Sequence, residues 1–361
     1  MSHFHLYAYL HAQRSQGLSH RLSQTVCLAA LWSVGLGLSA VAAPSLTEQL
    51  HQPPQQTVRS QRNVADQFLL VGQAKLNSGN HAQAITALNE AANAYHLLGD
   101  FAGMGAAYEQ LVKVYSELGR YDDAERVVRR QLAIAHSNNN FSDQILAFNN
   151  LGTLRLQEGD LATAQAAFAE ALTVAQDVDS ESGIGLSLSN LGLIAVANGQ
   201  LNDARKYYEV AANYRARARD YVGQANTDNN LGDVYLAMGR TREAIGAYRL
   251  ALSLAQDHNE PYIQLRALDG LIAIYRNQGV PSELIAYLRD RIALTVSTGD
   301  EWQRLVTLRT MGEIYEENGD LTAAFESFQR AMEIAIALDR KQVQSDLSNR
   351  IRALSLQLVD R

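Results

Sequence analysis

Seven glycines recur at one interval: Gly79, Gly119, Gly159, Gly199, Gly239, Gly279 and Gly319 lie 40 residues apart. A spacing held over seven units without an insertion describes one small structural unit copied along the chain. Five residues after each glycine stand Ala84, Ala124, Ala164, Ala204, Ala244, Leu284 and Ala324. Seven before stand Gly72, Val112, Gly152, Gly192, Gly232, Ile272 and Gly312; twelve after stand Ala91, Gln131, Ala171, Ala211, Ala251, Arg291 and Ala331. Apolar residues ahead of the turn follow helical spacing, as in Leu111, Val114, Tyr115 and Leu118. The turn glycine ends that helix, because a left-handed backbone is cheapest without a Cβ. A second helix follows, and the small residues on both sides of the turn let the two helices approach closely. A further turn recurs between units, at Gly99-Asp100, Asn139-Asn140, Arg219-Asp220 and Gly299-Asp300.

Composition agrees with helix. Apolar residues make up 47% and charged residues 19%, so the chain has enough apolar surface to bury. Ala, Leu and Gln are abundant and β-branched runs are scarce, which argues for an all-α chain. The net charge of −7, without a basic block, argues against nucleic-acid binding, which needs clustered Lys and Arg. One cysteine excludes a disulfide framework and a cysteine-based zinc site.

The first 43 residues carry no Asp or Glu. Arg14, His20 and Arg21 precede an apolar run from Val26 to Ala43 that ends in Ala40-Val41-Ala42. A basic start, an apolar stretch and an A-x-A ending predict a secretory signal peptide over residues 1–42, cut after Ala42. The alternative is a retained membrane anchor, since the run is about as long as spanning requires. Cys27 opens the apolar run rather than closing it, which argues against lipidation, and cleavage would remove it. Residues 43–64, rich in Gln and holding Pro53-Pro54, read as a linker.

The pattern Asn150-Leu151-Gly152, Gly159-Asp160-Leu161, Ala164, Phe168 and Ala171, with its copies, resembles the tetratricopeptide repeat (TPR) family over residues 65–344. The usual unit has about 34 residues. Six more add about 4.5 Å to each helix, as in the long repeats of kinesin light chains and LGN-type adaptors. The resemblance implies a right-handed superhelical solenoid of seven helix-turn-helix repeats, whose first helices line a concave groove for peptides or partner helices. Residues 345–361 are expected to form a capping helix, with Val343, Leu347, Ile351, Leu354 and Leu358 on one face and Arg352 in place of the small glycine.

Two kinds of departure stand out. Units two and six change together: Val112 and Gln131 in one, Ile272 and Arg291 in the other, 160 residues apart, which fits either a duplication of four units or independent drift. Asp228 stands where the other units have Phe68, Tyr108, Phe148, Leu188, Leu268 and Leu308. A carboxylate buried there needs a partner or a raised pKa, and Arg215 or Arg217 is within reach along the chain; the alternative is a solvated Asp at a loosened junction.

Units three to five carry polar pairs on one face of the first helix: Asn149 and Asn150, Ser189 and Asn190, Asn229 and Asn230. An asparagine offers one acceptor and two donors, so a ladder of them can hold the backbone of an extended peptide. The same residues can instead cap or bridge neighbouring hairpins. Further candidates on this face are Lys113, Asn226, Asp233, Arg266, Asp269, Arg276, Arg309, Glu313 and Glu316, whose mixed charge does not form a single-sign clamp.

Catalysis finds no support. His51, His81, His96, His136 and His258 show no metal-ligand spacing, and the glycines stand singly at turns rather than in a phosphate loop. No cofactor, small-molecule substrate or nucleic acid is expected. The expected function is an exported scaffold for a protein or peptide partner; a peptide-binding sensor, or a membrane-anchored assembly factor if the apolar segment is retained, are the alternatives.

Overall fold

The computed structural model describes residues 54–279 and 281–359, with side chains from residue 60 onward. The expected signal segment and residues 43–53 of the expected linker lie outside the described residues. Among the described residues all regular structure is α-helical. The first helices of the seven hairpins are α1 (Pro54–Asn77), α3 (Phe101–Glu117), α5 (Phe141–Glu158), α7 (Glu181–Ala197), α9 (Tyr221–Ala237), α11 (Pro261–Gln278) and α13 (Glu301–Glu317). Their second helices are α2 (His81–Leu98), α4 (Tyr121–Ser137), α6 (Leu161–Asp177), α8 (Leu201–Arg217), α10 (Thr241–Asp257), α12 (Pro281–Thr298) and α14 (Leu321–Ala337). A fifteenth helix, α15 (Lys341–Val359), follows. No described helix is long and apolar enough to cross a membrane.

Residues 54–64, expected to belong to the linker, begin α1 instead. Pro54 sits at the first helical position, where a missing N–H costs nothing, and the glutamines behind it are good helix formers. The closing helix starts four residues before the expected position 345. Leu347 and Leu354 are fully buried against Phe328, Ala331 and Ala335, with Val343, Ile351 and Leu358 partly covered beside them.

The chain forms two compact units, one ending at Val174 and one beginning at Ala175. The first holds α1 to α5 and most of α6; the second holds α7 to α15. Inside each, a first helix touches its own second helix and also the first helix of the next hairpin, as α1 touches α3 and α9 touches α11.

All seven turn glycines adopt positive φ, between 65° and 86°. The turns between hairpins are left-handed as well, at Gly99, Asn139, Asp179, Arg219, Asn259, Gly299 and Asp339. The residue after each such turn commonly caps the next helix. Asp100, Asn140, Ser180, Asp220 and Asp300 accept the amide hydrogen three residues on.

Packing within the hairpins rests on a pair of positions. A Cβ on Gly152, Gly192, Gly232 or Gly312 would meet the ring of Phe168, Tyr208, Tyr248 or Phe328 at 2.5–2.7 Å. In these four hairpins the glycine of the first helix is therefore the seat of an aromatic ring on the second, while Gly72 in α1–α2 seats Leu88. In α3–α4 the seat is Val112 and the facing residue is Val128; in α11–α12 they are Ile272 and Leu288, and both pairs sit in their hairpin's core. The two departures at the glycine position are thus volume exchanges inside a pair. Around them, Ala84, Ala124, Ala164, Ala204, Ala244 and Ala324 have no exposed surface at all.

Candidate partner-binding face

The sequence candidates fall on the first helices, and the structure sorts them by depth. Asn149 is buried, and its side-chain amide donates to the Ile145 carbonyl of its own helix at 2.8 Å. Asn229 is fully buried and donates to the Ile263 carbonyl of α11 at 3.2 Å. Ser189 and Thr227 share a hydrogen bond at 3.2 Å between α7 and α9. Ser189 and Asn229 hold neighbouring first helices together and Asn149 bonds its own helix from a buried position, so Asn149 and Asn229 leave the candidate surface. Asn150, Asn190 and Asn230 are half-buried at one shared register, and Asn226 is exposed, donating to the Val222 carbonyl at 3.3 Å. The counterpart of Asn230 in the next hairpin is Gly270, where a Cβ would stand 2.5 Å from the Tyr248 ring.

In the second unit the charged candidates are tied to one another. Asp233 accepts from the Tyr248 hydroxyl at 2.5 Å and pairs with Arg266 at 2.5 Å. Burial and the Asp233 charge push the Tyr248 phenol far above its ordinary value, so it stays a donor at any ordinary pH. Asp269 pairs with Arg291 at 2.7 Å. Glu313 lies 3.5–3.9 Å from Arg276, Arg309 and Arg350, and Arg350 also reaches Glu316 at 3.0 Å. The face therefore changes character along the unit, from neutral amides on α7 and α9 to crossed ion pairs on α11, α13 and α15. In the first unit, Lys113 is exposed on α3.

Three residues in this network were not singled out as candidates: Tyr248, Arg291 and Arg350. Arg291 carried a signal, since it replaces an alanine. Its guanidinium is buried and donates to Asp269, to the carbonyl and side chain of Gln303, and to the Thr307 hydroxyl. It clips α12 to the first helices on both sides. Arg350 was hidden by its place on the closing helix, where it stacks on the Phe328 ring 5.4 Å away.

Asp228 is buried, at 3% exposure, rather than solvated at a loosened junction, but neither Arg215 nor Arg217 meets it. Arg215 pairs with Asp220 and Arg217 with Glu181. Burial pushes the Asp228 carboxyl up to about 7, opposed by a hydrogen bond with Gln224. Among the described residues, no group of three or more His, Cys, Asp or Glu could hold a metal ion.

Comparison with known proteins places this architecture. Two tetratricopeptide repeat family models match the chain, one over residues 103–177, 143–215 and 183–257 and the other over 310–335, together half of its length. No curated protein matches it. Among solved structures, a STAND signal-transduction ATPase with a tetratricopeptide repeat sensor from Pyrococcus horikoshii is similar with a TM-score of 0.58 at 15% identity, over 81% of this chain and 46% of that one. The Rap conjugation gene regulator of plasmid pLS20, in complex with the Phr* peptide, is similar with a TM-score of 0.50 at 21% identity, over 77% of this chain and 74% of that one. The apo form of RapI gives 0.50 at 12% identity, over 76% and 99%. At these identities the likeness is one of fold. The chain belongs to the tetratricopeptide repeat family.

Proposed function

We propose that this chain is an exported interaction scaffold that holds an extended segment of a protein partner along its first helices. One observation carries the reading: Asn190 and Asn230 repeat at one register on α7 and α9 and stay half-exposed, beside the buried Ser189 and Asn229. Amides spaced one hairpin apart suit a ligand whose backbone, rather than whose side chains, is bound. Asn150 occupies the same register on α5. Beyond Asn230, Asp233 and Arg266 offer one acceptor and one donor to side chains of mixed charge. A second reading, a sensor for a short peptide, draws support from the Rap regulator, a protein of this fold solved with a peptide bound.

The export half rests on the A-x-A ending at Ala42. Protein isolated from its native host should have the intact mass of a chain starting at Ala43, and a mass that includes Met1 would refute cleavage. For the binding half, cross-linking in the exported fraction supplies the partner, and its affinity is then titrated against Asn190→Ala/Asn230→Ala. Each lost hydrogen bond contributes about 0.5–1.5 kcal/mol, so the double variant should bind roughly 5- to 150-fold more weakly. Unchanged affinity together with a lowered melting point would assign both residues to hairpin packing.

A further inference from the structure

Asp228 is the residue that neither the packing nor the proposed binding face uses. Six of the seven hairpins fill its position with a large apolar side chain. Here a carboxyl group is enclosed instead, and its Oδ2 is buried without a hydrogen-bond partner. Its neighbour Gln224 lies one turn earlier on the same helix. The counterparts of Gln224 do another job: Gln144, Gln264 and Gln344 donate to the carbonyls of Ala135, Ala255 and Ala335 at 2.9–3.2 Å. No such bond to the preceding helix is made by Gln224, whose side chain instead partly offsets the burial of Asp228.

Most charged groups on the helices packed against α9 are engaged elsewhere, and Arg242 and Asp257 of α10 are exposed. On α8, Arg205 pairs with Glu209, Lys206 with Asp203, Arg215 with Asp220 and Arg217 with Glu181 of α7. At the start of α10, Glu243 pairs with Arg240, and Arg249 donates to Tyr275 and Tyr287. On α11, Arg266 pairs with Asp233 of α9 and Asp269 with Arg291. His258, which ends α10, stacks on Tyr221 at the start of α9 with ring centroids 5.2 Å apart. No cation among these is committed to Asp228.

We propose that Asp228 makes the seating of α9 proton-operated: neutral, the carboxyl is tolerated among packed helices; ionised, it must reach water, and α9 loosens from its neighbours. Burial without a counter-charge disfavours the charged form, which is why the carboxyl titrates near neutrality. The sign follows. The folded chain holds this proton where the unfolded chain has released it, so stability is greatest below the ordinary carboxylate range. It falls as pH rises through about 7 and stays at the lower level above it. The bonds nearest the switch are those of adjacent residues: Thr227 to Ser189 on α7 and Asn229 to the Ile263 carbonyl on α11. Asn230 follows directly in the chain, so a loosened α9 would also move one of the half-exposed amides.

The test compares the full chain with Asp228→Leu, which restores the apolar majority, and Asp228→Asn, which keeps the shape and removes the charge. Thermal midpoints are measured at about pH 5 and about pH 8. The gap between each variant and the wild type should widen by at least about 4 °C toward the higher pH. Hydrogen exchange of the α9 amides, corrected for the intrinsic pH dependence, should quicken at the higher pH in the wild type alone. If Asp228→Leu does not fold, Asp228→Asn decides. A gap that stays constant with pH, or α9 protection that does not change, would overturn the proposal.

Discussion

Hairpins α5–α6, α7–α8, α9–α10 and α13–α14 seat an aromatic ring on a glycine, whereas α3–α4 and α11–α12 set two aliphatic side chains against each other. The first arrangement concentrates the volume on one helix; the second divides it between two. Both keep the alanine five residues after the turn glycine, or Leu284 in its place, buried. Helix spacing in this fold is therefore a property of the facing pair and not of either position alone. Val112 and Ile272 depart from the glycine of the other units, but they are half of a solution whose other half is Val128 and Leu288.

The largest effect should come from Arg291, at the position where five hairpins carry alanine. Arg291→Ala brings its hairpin closer to the majority, yet it leaves Thr307, Gln303 and Asp269 without their donor. Hydrogen bonds to a charged group contribute about 1.5–3 kcal/mol each when buried. Because Asp269 is more than half exposed, we expect a loss of about 3 kcal/mol in total, read from urea unfolding. A variant as stable as the wild type would mean that the clip is incidental and that the consensus residue is the better one.

Next comes the pair itself. Gly232→Val places side-chain atoms inside the Tyr248 ring, which a Cβ would meet at 2.6 Å. Overpacking of this kind costs about 1–3 kcal/mol. Adding Tyr248→Leu rebuilds the aliphatic arrangement of α11–α12, although Tyr248 also bonds Asp233 and covers Gly270. In a double-mutant cycle the two changes should couple favourably by about 1 kcal/mol or more. Additive costs would show that the two arrangements are not exchangeable.

Much of this was legible in the chain. The glycine interval located the seven hairpins, and the apolar spacing of Leu347 and Leu354 located the closing helix. The candidate face was half legible. Asn149, Ser189 and Asn229 share a register with Glu109, Asp269 and Arg309, but the first three are buried and the others are not. Depth at that register depends on how closely two first helices approach, which residues far away in sequence decide. The partners of Arg215 and Arg217 were missed for a related reason. Asp220 and Glu181 lie at the helix ends, where a long side chain finds a carboxylate without entering the interface around Asp228.

The smallest effect concerns the turns, where the two classes differ in what they tolerate. Every turn inside a hairpin is glycine, whereas the turns between hairpins use Gly99 and Gly299 but also Asn139, Asp179, Asn259, Asp339 and Arg219, all at positive φ. Asn and Asp accept the left-handed region because a short polar side chain can bond locally there. Arg219 has no such compensation. A left-handed residue with a full side chain costs about 1–2 kcal/mol, and glycine returns part of that gain because it frees the unfolded chain. Arg219→Gly should therefore stabilise the protein by about 0.5–1 kcal/mol. Asn259→Gly, at the matching turn one hairpin later, should change it by less than that. Each difference is read from the same urea titration, and the contrast between the two variants matters more than either value. If both shift the midpoint equally, the side chain at these turns is immaterial, and the all-glycine turns inside the hairpins need another cause, such as the close approach of the two helices that they join.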